Sequence, residues 1–374
     1  MRVADGPSAA AKGLAPLDKR TIQEALSAAV GMDVVGALLR VNGEDGAWEA
    51  TAGSGEAGRE RPIDPDGFFR IGSITKPIVA AVVLQLADEG RIDLDSPLQR
   101  WMPDLLPPSY PAITTRQLLG HTSGIPNYLP HLIDGPETLL RYRYRTWTPE
   151  ELLAVAFEQQ RAFEPGTSLG YSNTNYVLLG LLIREVTGRA WDAEVARRIT
   201  GPLGMKSTFA PRDDPAVPLP HARGYTRTAA GLVDVTEFNP SFLDAAGSMI
   251  STARDLDLFL AALLAGELLT PDMLDQMLEP IPGAVEELPS FVGFGLGVQQ
   301  VTMPSRCGER TVIGCGGGLW GYACMAFGTR DGRRRYVVGL NIAPADAMEE
   351  VDELSELTRT VFCGRLSAVS AKVR

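Results

Sequence analysis

Phe68-Phe69-Arg70-Ile71-Gly72-Ser73-Ile74-Thr75-Lys76-Pro77 opens the segment on which the fold turns. The run Ser73–Glu89 reads as a helix stopped by Gly90, and its centre, Ile78 to Leu84, is apolar on every face. A helix of that kind is buried in a core. Ser73 and Lys76 are three residues apart, so on this helix they share one face within about 5–6 Å. A serine hydroxyl is a poor nucleophile until a neighbour takes its proton. A lysine does so once burial lowers its pKa. Ser73 at the helix N-terminus also has backbone amides that favour developing negative charge. The plain alternative is an N-cap serine beside a solvated lysine.

On either side of this segment the texture changes. Residues 17–30 carry helical apolar spacing, and strand-like runs Val34–Val41 and Ala47–Ala52 flank the turn signal Asn42-Gly43-Glu44-Asp45-Gly46. From about residue 96 to 280 helical windows alternate with Pro- and Gly-rich loops; the windows include Glu150–Gln159, Thr174–Val186 and Ala253–Ala265. Strand texture returns after Phe291, with a hairpin signal at Asp331-Gly332, and a last helix is expected over about Ala347–Phe362. The expectation is an α+β fold. An antiparallel sheet flanked by the terminal helices forms a mixed lobe from about residues 17–75 and 285–374. An all-helical lobe, about residues 76–284, is inserted into it, and a site belongs in the cleft between them.

Two further motifs bear on chemistry. Glu164-Pro165-Gly166 leads through a turn to Gly170-Tyr171-Ser172-Asn173, just before a helical window. Tyr171 in such a loop can overhang a cleft and, near a cation, act as phenolate in proton transfer. Asn173 suits a lysine ammonium or a substrate amide, or is simply an N-cap. Gly314-Cys315-Gly316-Gly317-Gly318 precedes a strand, where glycines let backbone N–H groups approach a ligand. One such N–H with that of Ser73 would form an oxyanion hole.

In order and spacing the three motifs resemble the serine β-lactamase and penicillin-recognising family, in the branch of class C β-lactamases, DD-peptidases and esterases. The resemblance runs over about residues 20–362 and includes LLGHTSGIPNY (Leu118–Tyr128) and AAGSMISTARDLDLF (Ala245–Phe259). It implies one β-lactamase-like domain over residues 1–374. It also implies an acylated Ser73 with Lys76 as its partner, Tyr171 as general base and acid, Asn173 closing the Tyr-Ser-Asn box, and the Gly318 N–H completing the oxyanion hole. Cys315, Gly316, Gly317 and Trp320 fall in the substrate-binding region. The family's third box is Lys-Thr-Gly or His-x-Gly; here it reads Cys315-Gly316-Gly317, without the cation or the hydroxyl. A lost charge-assisted contact costs about 1.5–3 kcal/mol. A neutral ester or amide is therefore the expected small-molecule acyl substrate, ahead of a penicillin or a C-terminal D-alanine. No cofactor or metal is expected. The alternatives are an acyltransferase with an amine, alcohol or acyl-carrier acceptor, a β-lactamase or carboxypeptidase, and a non-catalytic binding protein. Survival of Ser73, Lys76 and Tyr171 speaks against the last.

A net charge of −11 and a pI near 4.9 exclude neither enzyme class but disfavour nucleic acid and anionic membrane. The N-terminal residues lack the apolar core of a secretory signal, which gives a cytoplasmic expectation. Cys307, Cys315, Cys324 and Cys363 fit no zinc pattern and are expected as reduced thiols. His121 is expected to be scaffolding. Arg141-Tyr142-Arg143-Tyr144-Arg145 reads as a solvated helix face or a rim for an anionic acyl donor. Tyr128, Tyr142, Tyr144 and Trp147 either pack the helical lobe or offer aromatic surface that would wall a cleft against water.

Overall fold

Strands β1 (Val34–Gly43) and β2 (Trp48–Gly53) form the hairpin expected at the start of the chain, with Val41 opposite Trp48. The computed structural model describes residues 14, 16–31, 33–283, 292–303, 310–342 and 352–364. Two short pairs lie apart from the main sheet: β3 (Phe69–Arg70) with β6 (Ile250–Ser251), and β4 (Tyr225–Thr228) with β5 (Gly231–Asp234). The late strands are β7 (Val292–Phe294), β8 (Gln299–Thr302), β9 (Thr311–Leu319), β10 (Tyr322–Thr329) and β11 (Arg334–Ile342). They join the first hairpin in one antiparallel sheet of order β2-β1-β11-β10-β9-β8-β7. The chain's two ends thus meet where β1 pairs with β11.

Helix α1 (Lys19–Ala28), capped by the Asp18 carboxylate on Thr21 N–H, covers one face of the sheet through Ile22 and Leu26. The last helix (Asp352–Cys363) joins it there through Leu357, Val361 and Phe362; residues 347–351 of the expected helix lie outside the described residues. Helices fill the other side: α2 (Thr75–Asp88), α3 (Thr115–Leu119), α4 (Leu129–Leu132), α5 (Pro136–Tyr142), α6 (Pro149–Phe157), α7 (Thr174–Thr187), α8 (Trp191–Val195), α9 (Ala253–Leu264) and α10 (Pro271–Leu278). Helix α2 is buried from Thr75 to Leu84, as its all-round apolar sequence requires. Helix α9 is pinned to the sheet by Asp257, which accepts from Arg40 Nε (3.2 Å), Asn42 Nδ2 (2.6 Å) and Arg335 Nε (2.8 Å). A buried carboxylate needs such donors to offset lost hydration.

Three expectations can be compared with the structure here. The glycine-rich box precedes a strand, β10, as expected, but is itself strand, the C-terminal part of β9, lying against the Ser73 turn. Cys363 is disulfide-bonded rather than reduced, whereas Cys315 and Cys324 are free buried thiols. Of the two readings of the aromatic residues, packing holds for most. Tyr128 is fully buried with its hydroxyl donated to Phe242 O at 2.6 Å, and Trp147 is buried under Arg145, whose guanidinium sits 3.6 Å from its ring. Of the four, only Tyr144 is strongly exposed.

Candidate active site

The turn Gly72–Ile74 carries Ser73 into α2 as a single 3₁₀ turn. Gly72 has φ +47°, and a side chain there would meet Gly318 N at 3.1 Å and Leu319 Cδ2 at 2.9 Å. From the other side, a Cβ on Gly317 would lie 2.2 Å from Ile71 O. The missing side chains let β9 lie directly against the Ser73 turn, with the Gly318 amide against Gly72.

Ser73 Oγ lies 2.6 Å from Tyr171 OH and accepts from Lys76 Nζ at 3.0 Å. Lys76 Nζ also donates to Asn173 Oδ1 (2.8 Å) and to Ala246 O (2.6 Å). Asn173 stands at the N-terminus of α7, yet its side chain makes no capping bond; it is turned onto Lys76 instead. Asn127 Oδ1 steadies it, accepting from both Asn173 N (3.2 Å) and Nδ2 (3.3 Å).

Burial lowers the Lys76 pKa from 10.5 to about 7, so near neutrality a large fraction is the free amine. Burial pushes Tyr171 above the ordinary phenol range, so its resting form is the neutral phenol rather than the expected phenolate. The nearby ammonium does not overcome desolvation. His121 is held neutral, its pKa lowered to about 3 by burial and then by the Lys76 charge. Its Nδ1 accepts from Ser172 N at 3.2 Å, and its carbonyl accepts from Gly170 N at 2.9 Å. Its ring lies 4.6 Å from that of Tyr171. His121 therefore holds the Tyr171 loop rather than joining the hydrogen-bond cluster of Ser73, Lys76 and Tyr171.

Cys315 faces inward. Its Sγ lies 3.4 Å from Ser73 O, beside a void of about 10 Å³ lined by Ile74, Pro77, Leu256 and Phe259. Burial pushes its thiol up to about 12, which leaves no thiolate for a second nucleophile. Gly316 is half-buried, Gly318 exposed, and Trp320 buried with its ring 6.3 Å from Phe242. In the basic stretch, Arg143 is tied to Glu237 O and Arg145 to Glu151. Sequence reading missed the Ala246 carbonyl and Asn127. A backbone acceptor has no side-chain signature, and Asn127 looks like any loop asparagine. Among the described residues no group of side chains could hold a metal ion, and no helix is long and apolar enough to cross a membrane.

Comparison with known proteins fits this geometry. The Beta-lactamase family model matches residues 23–356, and the chain belongs to that family. A solved D-stereospecific amidohydrolase from Streptomyces sp. superposes with a TM-score of 0.83 at 37% identity, covering 93% of this chain and 100% of that one. D-amino acid amidase from Ochrobactrum anthropi SV3, solved with D-phenylalanine, gives 0.77 at 29% identity over 91% of this chain and 98% of that one. Esterase EstB of Burkholderia gladioli is 28% identical, over 71% of this chain and 74% of the esterase. The chain spans 37% of the length of Penicillin-binding protein 4* of Bacillus subtilis (strain 168), to which 46% of it aligns at 27% identity. The fold is that of β-lactamases and penicillin-binding proteins, in a family of serine hydrolases with esterase and amidase members.

Proposed function

We propose that the protein is an amidase or esterase that works through an acyl-enzyme on Ser73. The observation that carries this reading is the convergence of Tyr171 OH and Lys76 Nζ on Ser73 Oγ, at 2.6 and 3.0 Å. Ser73 Oγ attacks the substrate carbonyl as neutral Lys76 takes the hydroxyl proton. The new alkoxide on the substrate is held by the N–H groups of Ser73 and Gly318. As the C–N or C–O bond breaks, the Tyr171 phenol gives its proton to the leaving amine or alcohol, and Lys76 reprotonates Tyr171. Water then attacks the ester, its proton returning through the same groups, and Ser73 is freed.

The substrate side rests on Cys315 and Gly316, which offer neither cation nor hydroxyl to a carboxylate. A neutral amide or ester fits better than a penicillin or a free C-terminal D-alanine. The amidohydrolase and amidase likenesses make D-amino acid amides the first substrates to try. The cytoplasmic expectation is not carried forward, since a disulfide at Cys363 is the chemistry of an oxidising compartment.

The test is intact-mass analysis with a fluorophosphonate, followed by turnover assays. One adduct is expected on wild type and none on Ser73→Ala, with D-amino acid amides or p-nitrophenyl esters hydrolysed faster than nitrocefin. Labelling that survives in Ser73→Ala, or faster nitrocefin turnover, would refute the reading.

A further inference from the structure

Strand β8 pairs with β9 only as far as Gln299 opposite Gly314. Beyond that point the Gly316 N–H finds a side chain instead, donating to Gln299 Oε1 at 2.8 Å. This bond fixes the amide orientation, because an N–H donor requires the oxygen to face it. The Gln299 NH₂ is therefore turned away from Gly316, and it has no hydrogen-bond partner among the described residues. Gln299 is paired across the β7–β8 hairpin with Phe294, whose ring lies 6.4 Å from that of Tyr171. The Gln299 carboxamide thus sits at the amide edge of the glycine-rich box, on the residue that pairs with Phe294. Gly316 contributes no side chain there, and the nearest atom to a Cβ on it would be Gln299 Oε1 at 3.5 Å.

We infer that Gln299 is a specificity-determining residue, its NH₂ a neutral donor to the leaving-group side of the substrate; this rests on the acyl-enzyme reading above. An uncharged donor matches a carboxamide or ester carbonyl. It does not replace the charge-assisted contact that a carboxylate would need to offset its desolvation. Gln299 takes up the recognition that Gly316 cannot perform, and its chemistry selects neutral leaving groups.

The test uses D-alanyl-D-alanine amide and D-alanyl-D-alanine, which differ in charge only on the leaving side, as protectants against fluorophosphonate labelling of Ser73. The amide should protect wild type at lower concentration than the acid. Gln299→Glu keeps an oxygen for the Gly316 N–H but loses the donor, and should weaken protection by the amide about 3- to 10-fold. Gln299→Lys should invert the preference toward the acid. Near-UV circular dichroism of both variants checks that the fold is retained. Equal protection by both peptides in all three proteins, or no protection by the amide, would overturn the role of Gln299. A wild type that does not label would overturn the acyl-enzyme reading itself.

Discussion

Lys76 gives two of its hydrogens to acceptors that cannot donate back, Asn173 Oδ1 at 2.8 Å and Ala246 O at 2.6 Å. A neutral amine has two N–H bonds and one lone pair. With both hydrogens engaged, the lone pair of deprotonated Lys76 is directed at Ser73 Oγ, 3.0 Å away. Two oxygens thus orient the lysine toward Ser73.

The rate of Ser73 acylation should rise with pH through about 7, as buried Lys76 loses its proton. Stability should follow the same group. The unfolded lysine binds its proton up to the ordinary 10.5, so between pH 7 and 10 the unfolded state holds more protons and stability increases with pH. Urea titrations at pH 7 and 9 measure this, and Lys76→Met should flatten the difference. A kinetic limb near 10 would contradict the buried amine.

Asn173→Asp should move that kinetic limb upward. A carboxylate 2.8 Å from Nζ favours the ammonium, so more alkaline solution is needed to free the base. The pH profile of labelling reads the shift directly, and an unmoved limb would mean the two groups do not sense each other.

Tyr171→Phe and Lys76→Ala should each slow acylation by about 10²–10⁴-fold. Both groups bond to the same Ser73 oxygen, so the double variant should be little worse than the poorer single one. Multiplying losses would indicate two independent functions.

Thiol reagents should leave labelling of Ser73 unchanged, because Cys315 is buried and its pKa is pushed up to about 12. Inactivation that tracks modification of Cys315 would show the thiol to be accessible after all.

Asp257→Ala should destabilise the fold by about 3 kcal/mol, since it strips two half-buried arginines and Asn42 of their shared buried acceptor. Chemical denaturation measures it. A change within error would mean that the arginines find other partners.

Much of this was legible in the chain. Helix α2 was readable because a segment apolar on every face has only one destination, and α7 showed as the helical window Thr174–Val186. Ser73, Lys76 and Tyr171 were visible as residue types at helical and loop positions. The state of Tyr171 was not: whether a phenol beside an ammonium ionises depends on how much water remains, and that is a property of packing. The inward aim of Cys315 was hidden too, because the glycines around it permit β9 to sit either before or against the nucleophile turn, and only tertiary contact selects the second. The aromatic residues after the His121 turn stayed between two readings, since a tyrosine that packs a core and one that lines a cleft look alike in sequence.

The void under Cys315 bears on how such an enzyme can change over evolutionary time. Its walls are hydrocarbon from Ile74, Pro77, Leu256 and Phe259 and offer no polar partner to a charged side chain. A single codon change restoring a cation at this position would force an ammonium into that wall and strain the core beneath the nucleophile. The route from this chain toward carboxylate-bearing antibiotics therefore needs the lining of α9 to change first, and in that order, so that drug pressure acting on one residue at a time meets a valley rather than a slope.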